Sequence, residues 1–137
     1  FQIVKEDCIP VMRQLAGLGV KGRAAKRRFV KLQPKEFDLV VLDPPRYAKS
    51  PFGLVDTVND YQSLFKPALL ATKPGGRMLV TNNVASVVLE SWNSLLMRAA
   101  EKAGRPIKSL DIIEPEGDFP SHDGIHPLKM ALVEIAD

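Results

Sequence analysis

The apolar residues of the chain fall into short blocks whose spacing alternates between strand-like and helix-like. The run FDLVVL at residues 37–42 is almost continuous in apolar character and ends at Asp43, Pro44 and Pro45. Such a run predicts a strand buried on both faces of a parallel sheet. The two prolines end it because neither can donate to a strand ladder. We therefore expect Asp43 at the carboxyl end of a central strand, where open α/β sheets bind their ligands.

The spacing of apolar residues predicts alternating strands and helices along the whole chain. It gives a strand at 2–5, a helix opened by Pro10 and closed by Gly17 and Gly19, a strand at 37–43, a helix carrying the apolar residues of 58–69, a strand at 77–82, a helix capped by Ser86 and ended by Gly104, and strands at 107–113 and 130–135. Residues 24–32 are expected to be helical, and 48–57 to form a loop that closes over the site.

This alternation predicts an α/β fold of the Rossmann-like kind, with a doubly wound, mostly parallel sheet and helices on both faces. The connection between the last two strands is too short for a crossover helix, so the final strand is expected to be antiparallel.

Composition narrows the class of protein. At 137 residues, with 45% apolar and 26% charged residues, the chain is one globular domain or part of one. Two histidines and one cysteine are too few for a zinc site, and one cysteine excludes an internal disulfide framework. No apolar run approaches the length of a membrane span, and the first residues lack an export signature, so a cytoplasmic location is expected.

Positive charge is concentrated in one segment. No acid occurs between Asp7 and Glu36, whereas the cations there are Arg13, Lys21, Arg23, Lys26, Arg27, Arg28, Lys31 and Lys35. Such a block is typical of a surface that binds a nucleic-acid backbone, and it is equally typical of a solvated basic loop.

Several motifs together carry a family resemblance. They are EDCIPVMRQL near the start, FDLVVLDPPRYAKS, the helix segment DYQSLFKPALLATKPGG, and the ending HDGIHPLKMALVEI. In combination they resemble class I S-adenosylmethionine-dependent methyltransferases, and more narrowly the bacterial 23S ribosomal RNA base methyltransferases of the cytosine-5 and guanine type. The chain, 1–137, resembles the carboxyl-terminal part of one such catalytic domain. The glycine-rich cofactor loop and the first strands of that fold are missing, so the chain alone is expected to be inactive.

The resemblance implies a role for each matching position, with S-adenosylmethionine as cofactor and RNA as partner. It implies Asp43, Pro44 and Pro45 as catalytic, Asp7, Cys8 and Asp43 as cofactor-binding, and Arg46, Tyr47, Lys49 and Asn82 as substrate-binding. Within these, Asp7 would bind the adenine ring and Tyr47 would stack on a flipped-out base. No metal is implied, and an oligomer remains open.

The chemistry of the site agrees with methyl transfer to nitrogen. A carboxylate and prolyl carbonyls can accept hydrogen bonds from an amine and direct its lone pair at an electrophilic methyl group. Methylation of cytosine carbon-5 needs a cysteine thiolate. The matching segment, residues 81–84, reads TNNV and has no cysteine. A guanine nitrogen is therefore favoured. Two alternatives stay open: a non-catalytic RNA-binding module with this fold, and a methyltransferase of a small molecule or protein.

Overall fold

The computed structural model describes residues 2–118, 121–124 and 126–137. In chain order the elements are α1 (Cys8–Leu15), α2 (Gly22–Ala25), β1 (Phe37–Leu42), β2 (Tyr47–Ser50), β3 (Gly53–Asp56), α3 (Gln62–Leu70), β4 (Thr72–Asn83), α4 (Leu89–Lys102), β5 (Ile107–Ile113) and β6 (Leu128–Ile135). The longest of these helices has 14 residues. None of the helices in the described ranges has the length and hydrophobicity needed to cross a membrane.

The main sheet has four strands in the order β1-β4-β6-β5. β1 pairs with β4 in parallel, and β6 lies between β4 and β5, antiparallel to both. Strands β1, β4 and β5 therefore run in one direction and the last strand opposes them. This confirms a Rossmann-like sheet that closes with an antiparallel strand.

A bulge at the start of β4 explains why this strand begins before residue 77. Phe37 pairs with Thr72, and Leu39 pairs with Arg77, so the KPGG segment is extra chain opposite a single residue of β1. Gly75 has a φ of 69°, which favours glycine. A Cβ at Gly76 would lie 2.9 Å from the Lys73 carbonyl oxygen, so a side chain there would force the backbone to move.

The core lies between one face of the sheet and a layer of helices. On the sheet side it contains Leu42, Met78, Val80, Ala131, Val133 and Ile135, and on the helix side mainly Tyr61, Leu64, Phe65, Leu69, Trp92 and Leu96. Helix α3 packs against both α1 and α4, which places the three longer helices in one layer. The apolar residues within α3 and α4 contribute to this core, whereas Val58 and Val88, which precede the two helices, are 42% and 59% exposed.

The opposite face of the sheet carries apolar side chains that no described residue covers. Leu39 and Val41 of β1 are 58% and 59% exposed, and Ile113 of β5 is 39% exposed. The predictions of a strand buried on both faces and of helices on both faces are thus wrong for the described residues. The physical reason is that all three longer helices pack on the same side of the sheet, and that β1 is an edge strand.

Three local predictions are also wrong. Residues 2–5 have no regular structure, because no strand in the described ranges pairs with them. Ser86 does not cap a helix: it lies in a turn closed by the Val87 amide and the Val84 carbonyl, and α4 begins only at Leu89. The expected loop at 48–57 is mostly the β2-β3 hairpin.

The basic segment, defined here as residues 20–35, contains only the single helical turn α2 instead of a helix at 24–32. Its remainder is fixed to α1 by side chains. The Glu6 carboxylate accepts from the Val30 amide at 2.9 Å, and the Gln14 side chain bonds Val30 and Leu32 at 3.0 Å. Polar side chains of the preceding helix region thus satisfy backbone groups that a longer helix would have satisfied internally.

Candidate active site

Asp43 directly follows β1, and the backbone places it beside the end of β4. Leu42 pairs with Val80 in the parallel ladder, so the next residues, Asp43 and Thr81, are neighbours across the two strands. The Thr81 hydroxyl donates a hydrogen bond to Oδ1 of Asp43. Side chains alternate along a strand, so Asp43 belongs to the same face as Leu39 and Val41, the uncovered face. The predicted position of Asp43 at a carboxyl strand end is confirmed, although β1 is an edge strand here.

A buried tyrosine holds the backbone of Thr81 by a hydrogen bond. The hydroxyl of Tyr61, a residue only 1% exposed, donates to the Thr81 carbonyl oxygen at 2.7 Å. Its ring packs edge-on against Trp92, with centroids 5.7 Å apart. Burial, and secondarily the negative charge of Asp43, raise the pKa of Tyr61, so the phenol keeps its proton and remains a donor. Thr81 is thereby fixed through its backbone while its side chain orients Asp43.

Asn82 lies inside the protein and ties the segment after β1 to β4. It is fully buried, and its Nδ2 donates to the Thr57 carbonyl at 3.3 Å. Thr57 in turn donates to the Arg46 carbonyl through both its amide and its hydroxyl, each at 3.1 Å. The Asn82 Oδ1 has no hydrogen-bond partner in the described structure. The ends of the hairpin are therefore anchored to the strand that carries Thr81.

The other predicted substrate residues lie in solvent on or beside this hairpin. Arg46 precedes β2, and Tyr47 and Lys49 belong to β2. All three are exposed, Tyr47 to 61%. Pro44 is half-buried and Pro45 exposed, between Asp43 and the hairpin. An exposed aromatic ring flanked by two cations can contact a base and its phosphates.

The hairpin touches the basic segment. The rings of Phe52, at the hairpin turn, and Phe29, in the basic segment, meet edge-on with centroids 5.9 Å apart. The Lys31 ammonium lies 3.9 Å from the centroid of the Phe29 ring. The basic segment thus touches the turn of the hairpin whose strand β2 carries Tyr47 and Lys49.

Asp7 and Cys8 lie at the start of α1. Asp7 is the N-cap residue, and its Oδ1 accepts from the Ile9 amide at 2.9 Å. Partial burial, and secondarily the neighbouring Asp7 carboxylate, raise the pKa of Cys8, so its thiol is neutral near pH 7. Within the described ranges Asp43 is hydrogen-bonded to Thr81, and no hydrogen bond joins it to Asp7 or Cys8.

Sequence reasoning missed the three residues that connect the site: Thr57, Tyr61 and Thr81. The pattern of residues 58–69 predicts a helix there and no specific role for Tyr61. Thr81 could have been predicted as the neighbour of Asp43 only if the register of β1 with β4, which pairs Leu42 with Val80, had been known. Among the described residues, no three His, Cys, Asp or Glu side chains cluster in a way that could hold a metal ion.

Solved structures define the class of fold. The chain aligns with a candidate methyltransferase crystallised in complex with SAH, with a TM-score of 0.59 and 17% identity, over 73% of this chain and 26% of that one. A candidate S-adenosylmethionine-dependent methyltransferase from Streptococcus mutans aligns with a TM-score of 0.54 at 17% identity, over the same shares. The chain has the Rossmann-like fold of these methyltransferases.

Sequence comparison points to a narrower group, although no family model matches the chain. The ribosomal RNA large subunit methyltransferase I of Aeromonas salmonicida is 30% identical over 120 residues, which are 87% of this chain and 26% of that protein. The enzyme of the same name from Vibrio vulnificus is 29% identical over 89 residues, 65% of this chain and 22% of that protein. The resemblance to class I ribosomal RNA methyltransferases is therefore confirmed over the part covered. The chain spans about a quarter of the length of these relatives.

Proposed function

We propose that this chain is the carboxyl-terminal part of the catalytic domain of an S-adenosylmethionine-dependent methyltransferase that modifies a base of ribosomal RNA. The observation that carries the proposal is the Asp43-Pro44-Pro45 motif at the carboxyl end of β1, with the Asp43 carboxylate held by the Thr81 hydroxyl. Relatives with ribosomal RNA methyltransferase names and a structural neighbour solved with SAH support it. A ribosomal RNA substrate would place the protein in the cytoplasm.

The incomplete sheet supports the proposal that further strands belong to the same domain. The outer edge of β1 has free backbone groups, since β1 pairs only with β4 among the described strands. The face bearing Leu39 and Val41 is also uncovered. A segment that adds strands to this edge and helices to this face would bury both features together.

Asp43 is suited to a role between cofactor and base. Its side chain is exposed on the uncovered face, beside the edge where additional strands would join. One carboxylate oxygen is oriented by Thr81, which leaves the other free of protein donors in the described structure and able to accept from an exocyclic or ring N–H of a base. S-adenosylmethionine supplies an electrophilic methyl group when bound. The chain's own contribution is to align the nitrogen and to accept its proton at Asp43.

We assign cofactor contacts to Asp7, Cys8 and Asp43. Asp7 uses Oδ1 to cap α1, so Oδ2 is the oxygen for an adenine amine. Cys8 lies next to it as a neutral thiol and would supply a packing surface. Both sit at the first turn of α1, so the helix start fixes where an adenine ring would bind.

We assign the target base to the hairpin surface. Tyr47 would stack on the flipped-out base, Arg46 and Lys49 would hold adjacent phosphates, and the contiguous basic segment would extend that contact. For Asn82 we propose a substrate contact through Oδ1 alone, because Nδ2 donates to the Thr57 carbonyl and the side chain is buried.

A guanine nitrogen remains our proposed target in preference to cytosine carbon-5. The carboxyl end of β4, which lies beside Asp43, carries Thr81 and Asn82 and has no thiol. The sole cysteine is a neutral thiol at the start of α1. Attack on the cytosine ring requires a thiolate, whereas an amine oriented by Asp43 does not.

Calorimetric titration tests the proposal. S-adenosylmethionine is titrated into the full-length protein that contains this chain and into the chain alone, and transfer of radiolabelled methyl to ribosomal RNA is then measured. We expect binding and transfer by the full-length protein only. RNA binding by a full-length protein that fails to bind S-adenosylmethionine would instead establish the non-catalytic RNA-binding module, which the exposed basic segment also fits.

A further inference from the structure

A second basic surface lies on the helical layer. A groove of about 530 Å³ runs between α1, α3 and α4 and is lined by Arg13, Lys21, Lys66 and Lys102, with the apolar Leu18, Pro67 and Ala99. An adjoining depression shares Gln62, Ala99 and Lys102 with it and adds Arg98. Five cations and one acid, Asp60, thus line a continuous surface that we call the helical groove.

In the described parts of the chain, the cations of the helical groove have no carboxylate partner, whereas several cations outside the groove do. The ion pairs found in the described ranges use Lys73, Arg77, Arg105 and Lys108. Within the same ranges the groove cations form no such pair. Arg13 and Arg98 donate instead to the neutral carbonyls of Gly19 and Ser94, which orients them without cancelling their charge. Their fields therefore add, and a concave surface concentrates the resulting positive potential.

The shape of the groove favours an extended polyanion. Lys66 and Lys102 stand on separate helices, and Lys21 follows α1, so the positive charges are spread along the groove. Asp60 would repel a compact polyphosphate seated against it, whereas a nucleic-acid strand carries spaced phosphates separated by sugars. The apolar floor of Leu18, Pro67 and Ala99 suits contact with the sugars.

We infer that the helical groove binds the phosphate backbone of the substrate RNA at a distance from the target nucleotide. The basic segment begins at the groove, through Lys21, and reaches the hairpin through the contact of Phe29 with Phe52. One RNA strand can therefore follow cations from the helical groove to Tyr47. The inference rests on the proposed function only in taking RNA as the ligand.

The test uses the full-length protein that contains this chain and a short fluorescein-labelled single-stranded RNA. Lys66→Gln/Lys102→Gln removes two exposed groove cations. Lys73→Gln/Lys108→Gln removes the same charge outside the groove and serves as the matched control. If each groove lysine contacts one phosphate, affinity of the first variant falls about 25-fold at roughly 0.1 M salt, and the slope of log affinity against log salt becomes less steep by about 1.4. The control variant keeps the wild-type slope.

Three results would overturn the inference. They are an unchanged salt slope in the groove variant, an equal change in both variants, and an acidic peptide of matched charge that binds the groove as tightly as RNA does. Cofactor binding, measured in parallel, separates these results from failure of the proposed function. A wild-type protein that binds neither RNA nor S-adenosylmethionine would contradict the proposed function itself. If the wild-type protein binds both, and the groove substitutions do not change RNA affinity, only this inference is contradicted.

Discussion

The hydroxyl of Tyr61 gives a sharp quantitative prediction, because the chain has two tyrosines in opposite environments. Tyr61 is 1% exposed and donates to the Thr81 carbonyl at 2.7 Å, whereas Tyr47 is 61% exposed. Tyr61→Phe keeps the ring contact with Trp92 and leaves a buried acceptor without its donor. Such a loss destabilises a protein by about 1–2 kcal/mol. The free energy of opening around β4 and α3 should fall by that amount.

Amide hydrogen exchange of the full-length protein measures this free energy locally. Protection of β4 and α3 peptides in Tyr61→Phe should fall by roughly 5- to 30-fold. Tyr47→Phe is the control, and its effect should stay within about 0.5 kcal/mol, as for other exposed positions. Equal protection in the two variants would refute the argument that the Tyr61 hydroxyl holds the strand end that carries Thr81.

The remaining predictions concern pH, the orientation of Asp43 and the thiol. Since the folded protein raises the pKa of Tyr61, its stabilising contribution is complete below about pH 10 and is lost as pH rises further. Urea unfolding should therefore show the gap in stability between wild type and Tyr61→Phe narrowing above that pH; a gap that widens contradicts the sign. Thr81→Val should lower kcat for methyl transfer about 10-fold with little change in cofactor affinity, and Thr81→Ser should restore it. Equal rates in Val and Ser variants would show that the hydroxyl does not orient Asp43. Cys8→Ser should retain at least about half of the wild-type kcat, and complete loss would favour thiolate chemistry.

The sequence predicted the elements whose signals are local. The run at 37–42 specified β1 because an aliphatic stretch ended by two prolines has few alternatives. The apolar residues predicted to lie on a helix at 58–69 specified most of the buried face of α3 for a similar reason, since a 3.6-residue period is a property of the helix itself.

The errors came from features that depend on distant partners. Whether β1 is buried on both faces depends on which strands and helices pack against it, and the pattern LVVL does not show that the described elements cover only one of its faces. The hairpin was mistaken for a loop because Pro51 and Gly53, which mark its turn, dominate a segment with only four residues per strand.

In the candidate site, too, one feature is determined locally and the other depends on a distant strand. The position of Asp43 followed from the end of its own strand. Its bond to Thr81 follows from the parallel register of β1 with β4, and the insertion of β6 between β4 and β5 was equally invisible in the linear order. Strand-end polar residues become predictable only when the register is known.

Mass-spectrometric nucleoside analysis of large-subunit ribosomal RNA tests the proposed role of Asp43 in base methylation. The RNA is taken from cells that lack the gene, complemented with the wild-type protein or with Asp43→Asn. We expect one methylated base to disappear on deletion, to return with the wild type, and to stay absent with Asp43→Asn, although that variant folds and binds RNA. Full restoration by Asp43→Asn, or a deletion that leaves every methylated base in place, would contradict it.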